Sequence, residues 1–396
     1  MTERQALNPD QIKQDIENYG DKIFLNSAGS SLPPKSVHEK IKQHLDLEEK
    51  EGGYKATETM KLEIDDFYHQ AAQMLGCKPH NIAFATSATD AYVKALTSID
   101  FKPNDVILTT DDDYASNFIQ FISLAKRYQI KIERIKNLEN GDLDLNDFRE
   151  KTDKLNPKLV SVTHAPTNSG LVQDVRSIGQ VCNQKGVLFL VDACQSVGQI
   201  AVDVNDIKCD YLAVTGRKFL RGPRGTGILY VSDKVLCDGL FPLMVDGAGA
   251  IWDQEEDFSL IPDAKRFESW EKPYALLIGL TEAIRYLNQI GVDRIETYNR
   301  ELMMRFRDNL GSIPDVTMYD RGSKKSNILT FRKGNKSIEE IQSALNENNV
   351  FHSISNKEWG FIDFSKKNID WAVRLSPHYF NSIEEIERAS RVIESI

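Results

Sequence analysis

Asp192 closes the apolar run of "VLFLVDACQ", and twenty-six residues later Lys218 follows the apolar run of "DYLAVTGRK". A carboxylate taken out of water needs a partner. A desolvated lysine loses proton affinity and becomes a nucleophilic amine. In "NIAFATSATDAYVKAL", Ser87, Ala88 and Thr89 offer hydroxyls and free backbone N–H groups where a helix pattern begins, a cradle for an anion. Each feature has a plainer reading on its own: a helix N-cap for Ser87–Thr89, a cap or structural ion pair for Asp192, an exposed lysine in a glycine-rich turn for Lys218. Together they describe a pyridoxal phosphate site. The helix start would hold the phosphate, the aspartate would pair with the pyridinium nitrogen, and the lysine would form a Schiff base.

Such a site needs strands to aim its residues. From about Asn81 to Val231 short apolar runs alternate with helical patterns, which predicts βαβ units and a mainly parallel sheet. The expected strands are "NIAFAT", "DVILTT", "KIERIK", "KLVSVTHA", "VLFLVDA", "DYLAVTG" and "GILYV". In open parallel sheets ligands bind beyond the carboxyl ends of the strands, where these residues fall. Past Val231 the pattern becomes irregular through "DGAGAIWDQEEDFSLIPDAKRFESWEKP". One helical stretch is then expected from Tyr274 to Leu310, followed by strands at "SNILTFRK" and "WAVRLSP" and helices at "SIEEIQSALNENN" and "SIEEIERASRVIES". The expected fold class is α/β, divided into an N-terminal segment (1–20), a large domain (21–260) and a smaller C-terminal α+β domain (261–396).

Composition narrows the function. The chain has 396 residues, 41% of them hydrophobic, with 49 Lys and Arg against 59 Asp and Glu for a net charge of −10. That balance argues against nucleic-acid or acidic-membrane partners. No apolar run reaches the ~20 residues of a membrane span. The polar start "MTERQALNPDQIKQDIENYG" is not a signal peptide, so a cytoplasmic location is expected. Five cysteines form no CxxC pair, and Cys182, Cys194 and Cys209 sit in apolar contexts where cysteine acts as a small hydrophobe. No metal site is expected from the seven histidines.

The chain resembles the class V aminotransferases, the branch of fold-type-I pyridoxal phosphate enzymes that includes cysteine desulfurases and selenocysteine lyases. The likeness runs from "IFLNSAGSSLPP" to "AVRLSPHYFNSIEEIER" and is most specific in "VDACQSVGQIAVDVNDIKCDYLAVTGRKFLRGPRGTGILYV". It implies that Lys218 holds the cofactor, that Asp192 pairs with the ring nitrogen and that Gln195 bonds the phenolic oxygen. Ser87, Ala88, Thr89, Thr215 and Arg217 resemble phosphate ligands. Tyr114 stands where an aromatic stacks on the ring, with a catalytic part. Arg374 matches the arginine that takes the substrate carboxylate, with Asn26 and Thr167 assigned beside it. Thr167 and Asn168 compete for one cofactor-approaching position, depending on a one-residue alignment choice. The resemblance also implies a homodimer, with Ser269 to Lys272 near the neighbour's cofactor phosphate. For Arg221 and Arg224, a ligand role and a role holding an acidic loop or the partner both remain open.

Two departures bear on the reaction. Arg217 and Tyr114 replace two histidines of the desulfurase pattern. The span "FHSISNKEWGFIDFSKKNIDWAVR" lacks the cysteine with which desulfurases attack substrate sulfur. With "THxPTNxG", "DACQS" and "TGRKxLRGPRGTG", the chain resembles the hercynylcysteine sulfoxide lyase type of carbon–sulfur lyase. The expected reaction is β-elimination from a cysteine S-conjugate or its sulfoxide, giving thiol or sulfenate, pyruvate and ammonia. Transamination, epimerisation and a non-catalytic cofactor-binding scaffold are the alternatives. Trp252, Phe258 and Trp270 are candidates either for lining an S-substituent pocket or for packing an interface.

Overall fold

The computed structural model describes residues 7–396; the first six residues of the N-terminal segment lie outside the described residues. Seven strands form the central sheet: β1 (Ile82–Ala85), β2 (Val106–Thr109), β3 (Lys131–Arg134), β4 (Leu159–Thr163), β5 (Leu188–Asp192), β6 (Tyr211–Thr215) and β7 (Gly227–Val231). Their order is β1-β7-β6-β5-β4-β2-β3. Only β7 runs against its neighbours, in register Ala85↔Gly227 and Thr215↔Gly227 at one end. All seven expected strands are present. The central ones are apolar almost throughout because helices cover both faces, leaving no face to alternate with solvent. One core lies on each side of the sheet, one built on Phe67, Val162 and Leu212, the other on Tyr92, Phe121 and Tyr211.

The crossover helices start and stop where the chain chemistry requires. Ser87 caps Ala88–Thr97 through the Asp90 N–H. Asp174 caps Val175–Lys185, which Gly186 ends at φ +70°. The single helix expected over Tyr274–Leu310 is two, Tyr274–Ile290 and Val292–Gly311, because Gly291 at φ +90° breaks the run. The first of them packs on helices Lys35–Glu51 and Lys61–Leu75. The irregular stretch after Val231 contains an exposed hairpin, Ala250–Gln254 with Asp257–Leu260.

A second, antiparallel sheet comprises β8 (Val316–Met318), β9 (Leu329–Lys333), β10 (Ser353–Asn356) and β11 (Trp371–Leu375), in the order β8-β9-β11-β10. It rests on helices Val292–Gly311, Ile338–Glu347 and Ile383–Ser395 over a core of Phe306, Phe331 and Val373. Ile23–Phe24 pair with Val350–Phe351, and Asn26 bridges to Ser376. The early chain is thereby strapped to this sheet and carries Asn26 to Gly29 across to the turn after β6. Among the described residues no helix is long and apolar enough to cross a membrane.

Candidate active site

At the carboxyl ends of β4, β5 and β6 the chain leaves a cleft of about 100 Å³, walled by Ser87, Ala88, Thr89, Tyr114, Thr163, Ala165, Thr167, Asp192, Cys194, Gln195, Thr215, Arg217, Lys218, Gly225 and Thr226. Ten residues singled out in the sequence meet there. Two close approaches shape it. A Cβ on Gly227 would lie 2.6 Å from the Ser87 carbonyl carbon, and one on Gly216 would lie 2.2 Å from Thr226 Oγ1. Only glycine lets β7 press against the helix start and the turn after β6 press against Thr226. The Ser87 hydroxyl serves as the N-cap, accepting from the Asp90 N–H at 3.0 Å, so the plainer reading of that hydroxyl holds alongside its place on the cleft wall.

Lys218 is buried, its ammonium 5.9 Å from the centre of the Tyr114 ring. Burial lowers its pKa to about 8, an effect that the nearby Arg217 and Arg374 reinforce while the charge of Asp192 opposes it. Asp192, the last residue of β5, is buried and held at both oxygens: Oδ1 accepts from the Cys194 N–H at 3.0 Å and Oδ2 from Asn117 Nδ2 at 3.0 Å. The same Asn117 amide donates to Asp113 at 2.9 Å. Asp113 also accepts from the hydroxyls of Thr109 and Thr163 and from the Tyr114 N–H. Burial nonetheless raises its pKa to about 6. Asp113, Asn117 and Thr163 escaped the sequence reading. The available signal was the acid run "DDDY" before Tyr114, with Asp113 and Asn117 one helical turn apart.

Opposite, Thr167 joins two functional side chains. Its hydroxyl accepts from Gln195 Nε2 at 2.8 Å and from Arg374 Nη1 at 2.7 Å. Gln195 Nε2 also reaches the Ala28 carbonyl at 3.1 Å, while its Oε1 is buried without a hydrogen-bond partner. Arg374, on β11, donates from Nε to Ser353 Oγ at 3.0 Å. Burial, with the charge of Arg217 adding to it, lowers its pKa to about 10. Arg217 donates to the Gly29 carbonyl. Among the described residues no carboxylate pairs with either arginine, which leaves two cations for an anionic ligand. The carbonyl oxygen Asn26 Oδ1 is likewise buried without a partner.

Asn168 takes another course. Its amide donates to the Trp359 carbonyl at 2.8 Å, and with Asp112 and Gly360 it lines a small adjoining cavity that shares Tyr114 and Thr167 with the cleft. Of the two competing positions, Thr167 is the one on the cleft. Arg221 is fully buried and pins the turn instead of meeting a ligand: it donates to the Leu32 carbonyl at 2.8 Å and to Tyr379 Oη at 2.7 Å, within 5.5 Å of the ring centres of Tyr286, Tyr379 and Phe380. Arg224 is exposed. Cys182 and Cys209 are core residues, whereas Cys194 lines the cleft, because the sharp turn after Asp192 brings it back toward the ligand side. Trp252 and Trp270 are 81% and 64% exposed and do not line the cleft within this chain.

A family model described as Aminotransferase class-V matches residues 23–389. A probable cysteine desulfurase of Pyrococcus abyssi is 28% identical over 98% of this chain and 97% of its own length. Another, from Methanothermobacter thermautotrophicus, is 27% identical over 98% of each chain. Among solved structures, the apo cysteine desulfurase of Thermococcus onnurineus superimposes with a TM-score of 0.90, at 26% identity and 99% coverage of each chain. Pyridoxal 5′-phosphate suits the residues gathered in the cleft: a helix start and Arg217 for a phosphate, a buried carboxylate for a ring nitrogen, an amine of lowered pKa, and the orphaned amide oxygen of Gln195 on the wall. On a match that spans nearly its whole length, this chain belongs to the class V aminotransferase family, and its cofactor is pyridoxal 5′-phosphate.

Proposed function

We propose that this protein is a carbon–sulfur β-lyase, which cleaves a cysteine S-conjugate or its sulfoxide to thiol or sulfenate, pyruvate and ammonia. The observation that carries this reading concerns nucleophiles. No cysteine follows Cys237 in the sequence, so the span ahead of Arg374 has none. Cys194 is the only one of the five on the cleft wall. Burial, with Asp192 adding to it, pushes its thiol pKa well above the ordinary value, so it stays protonated and a poor nucleophile. Sulfur would therefore leave with the substrate's own substituent instead of passing to the enzyme. The relatives described as cysteine desulfurases support a sulfur amino acid as the substrate class.

In this reading Ser87, Ala88, Thr89, Thr215 and Arg217 hold the cofactor phosphate, Asp192 holds the ring-nitrogen proton, and Tyr114 and Gln195 orient the ring. When bound, the cofactor supplies an electron sink for the negative charge that develops at the substrate Cα. Arg374, steadied by Thr167 and Ser353, takes the substrate carboxylate, and Asn26, whose amide oxygen has no partner, is assigned to the same substrate. Lys218, with its proton affinity lowered by burial, removes the Cα proton. The Cβ–S bond then breaks with its electron pair on sulfur. The three-carbon enamine left behind hydrolyses to pyruvate and ammonia.

The working form in this proposal is a homodimer. The hairpin Ala250–Gln254/Asp257–Leu260, Met244 and Trp270 form an exposed apolar surface on one chain, of the kind that marks a protein contact. Mixing the loaded enzyme with an S-alkyl cysteine tests the chemistry. Free thiol and pyruvate in equal amounts are the expected products. Alanine with protein-bound persulfide would establish a desulfurase instead, and keto-acid-dependent amino transfer an aminotransferase.

A further inference from the structure

A second cavity, of about 660 Å³, lies behind the cleft, between helix Val175–Lys185, the turn at Gln199–Ala201, helix Val292–Gly311 and loop 323–327. The chain from His164 to Gln173 is the partition: it starts and ends on the cavity wall, while Thr167 between them faces the cleft. Cleft and cavity share no lining residue.

The wall is not finished as a protein interior. Four of its side chains carry buried polar atoms with no hydrogen-bond partner: His164 Nδ1, Gln173 Oε1, Asn299 Oδ1 and Ser326 Oγ. The four residues are 6%, 3%, 1% and 2% exposed. Leaving such a group unpaired is costly and uncommon, so four on one wall is a concentration of unmet hydrogen bonding. Two are amide oxygens, which need donors. His164 remains neutral, its pKa lowered to about 4 by burial and by Arg176 and Lys324.

The rim is charged and mostly of one sign. Arg176, Arg300, Arg307, Lys324 and Lys325 face it, against Asp174 and Glu296. Both acids are already engaged, Asp174 as the cap of helix Val175–Lys185 and Glu296 with the Ala201 N–H at 3.0 Å and, at 3.9 Å, with Arg300. Arg307 is held by Asp320. Lys324 has no carboxylate partner among the described residues. Val172, Ile200 and Met303 give the wall an apolar part. A volume of this size suits a compact metabolite, since small-molecule sites span about 300–1,000 Å³.

We propose that this cavity binds a small organic anion bearing hydroxyl or amine donors, its anionic group at the Lys324–Arg300 rim and its donors toward Gln173 and Asn299. The anionic group is a phosphate ester or a carboxylate.

The test is calorimetric titration of the loaded enzyme, whose cleft is already filled by cofactor, with D-ribose 5-phosphate, adenosine monophosphate and citrate. One probe per chain is expected to bind. Binding of the phosphate esters alone assigns a phosphate ester, and binding of citrate alone a carboxylate. Lys324→Glu and Arg300→Glu, both at the surface, should weaken it by at least about tenfold with the cofactor absorbance unchanged. Ala201→Trp, which places an indole in part of the cavity, should weaken it as well. No binding by any of the three probes, or binding that neither charge reversal weakens, overturns the assignment.

Discussion

Asn117 Nδ2 stands between two buried carboxylates, donating to Asp192 at 3.0 Å and to Asp113 at 2.9 Å. One amide thereby fixes the direction of Asp192 Oδ2 while the Cys194 N–H fixes Oδ1. A carboxylate meant to face a ring nitrogen needs this kind of scaffold, because an unsupported buried charge turns toward whatever donor it finds.

Asn117→Leu removes both donors at nearly the same volume. The expected loss is about 1–3 kcal/mol of stability for each acceptor left unpaired. It should fall most heavily at neutral pH. Asp113, already raised to about 6 by burial, binds a proton in the folded state that it does not bind unfolded above its ordinary 3.8. Stability from that proton is complete below pH 3.8 and is lost as pH rises through 6. Removing the Asn117 donor should move this loss further upward. Urea denaturation between pH 4 and 8 reads both effects.

The positions of Lys218 and Asp192 were legible because each ends an apolar run, and a charge there has few reasons to exist. The same logic exposed all seven strands. What supports them was not legible. Asp113 lies inside three consecutive aspartates, any of which could be solvated, and only the fold buries Asp111 against Arg134 and Lys366 while bringing Asn117 against Asp113. Cys194 misled for a related reason. Its neighbours are apolar, but the turn after Asp192 has no strand or helix period to say which way a side chain points. The break at Gly291 was hidden because helical patterns continue on either side of it. Arg221 and the second cavity depend on contacts between segments more than a hundred residues apart.

Lys218 gives a pH prediction in the cofactor-free protein. Its folded pKa is about 8 against 10.5 for the free side chain. The unfolded chain therefore holds the proton more tightly, and stability rises as pH climbs from about 8 toward 10.5. Below pH 8 the whole cost of burying the ammonium is present, on the order of 3 kcal/mol. Lys218→Met should stabilise the cofactor-free protein at pH 7 by a few kcal/mol, with the gain shrinking toward pH 10. The same variant should lose the visible absorption of bound cofactor. An unchanged spectrum would remove Lys218 from the role proposed for it.

Arg374 and Thr167 separate binding from chemistry. Arg374→Ala should raise KM for the amino acid substrate by about 30- to 100-fold with a smaller change in kcat, because the carboxylate is held alike in ground and transition states. Thr167→Val keeps the shape but withdraws the hydroxyl shared by Arg374 and Gln195. It should raise KM less than Arg374→Ala and also weaken cofactor retention. Steady-state kinetics with and without added pyridoxal phosphate distinguish the two effects.

Arg221 behaves as a pin. Its guanidinium sits among three aromatic rings and satisfies the Leu32 carbonyl and Tyr379 hydroxyl. Its backbone holds φ +62°, in the region that favours glycine. Arg221→Leu should cost about 3–5 kcal/mol, the range for breaking buried polar networks, while KM in the folded fraction stays near its parent value. Thermal unfolding beside KM measurement checks it. A large KM change at full stability would instead place Arg221 in contact with substrate.

Cys194 decides between the two fates of sulfur. It lines the cleft, yet burial and Asp192 keep its thiol protonated, and its Sγ lies 4.0 Å from the Ala213 carbonyl. A desulfurase reaction routed through this side chain would end when it is replaced. Elimination would not, because the electron pair of the broken Cβ–S bond leaves on substrate sulfur and asks nothing of the enzyme thiol. Cys194→Ser, of similar size, should therefore retain thiol and pyruvate release. Iodoacetamide should likewise label the exposed Cys237 without stopping turnover. Loss of turnover in Cys194→Ser, with cofactor still bound, would show that sulfur passes through the protein.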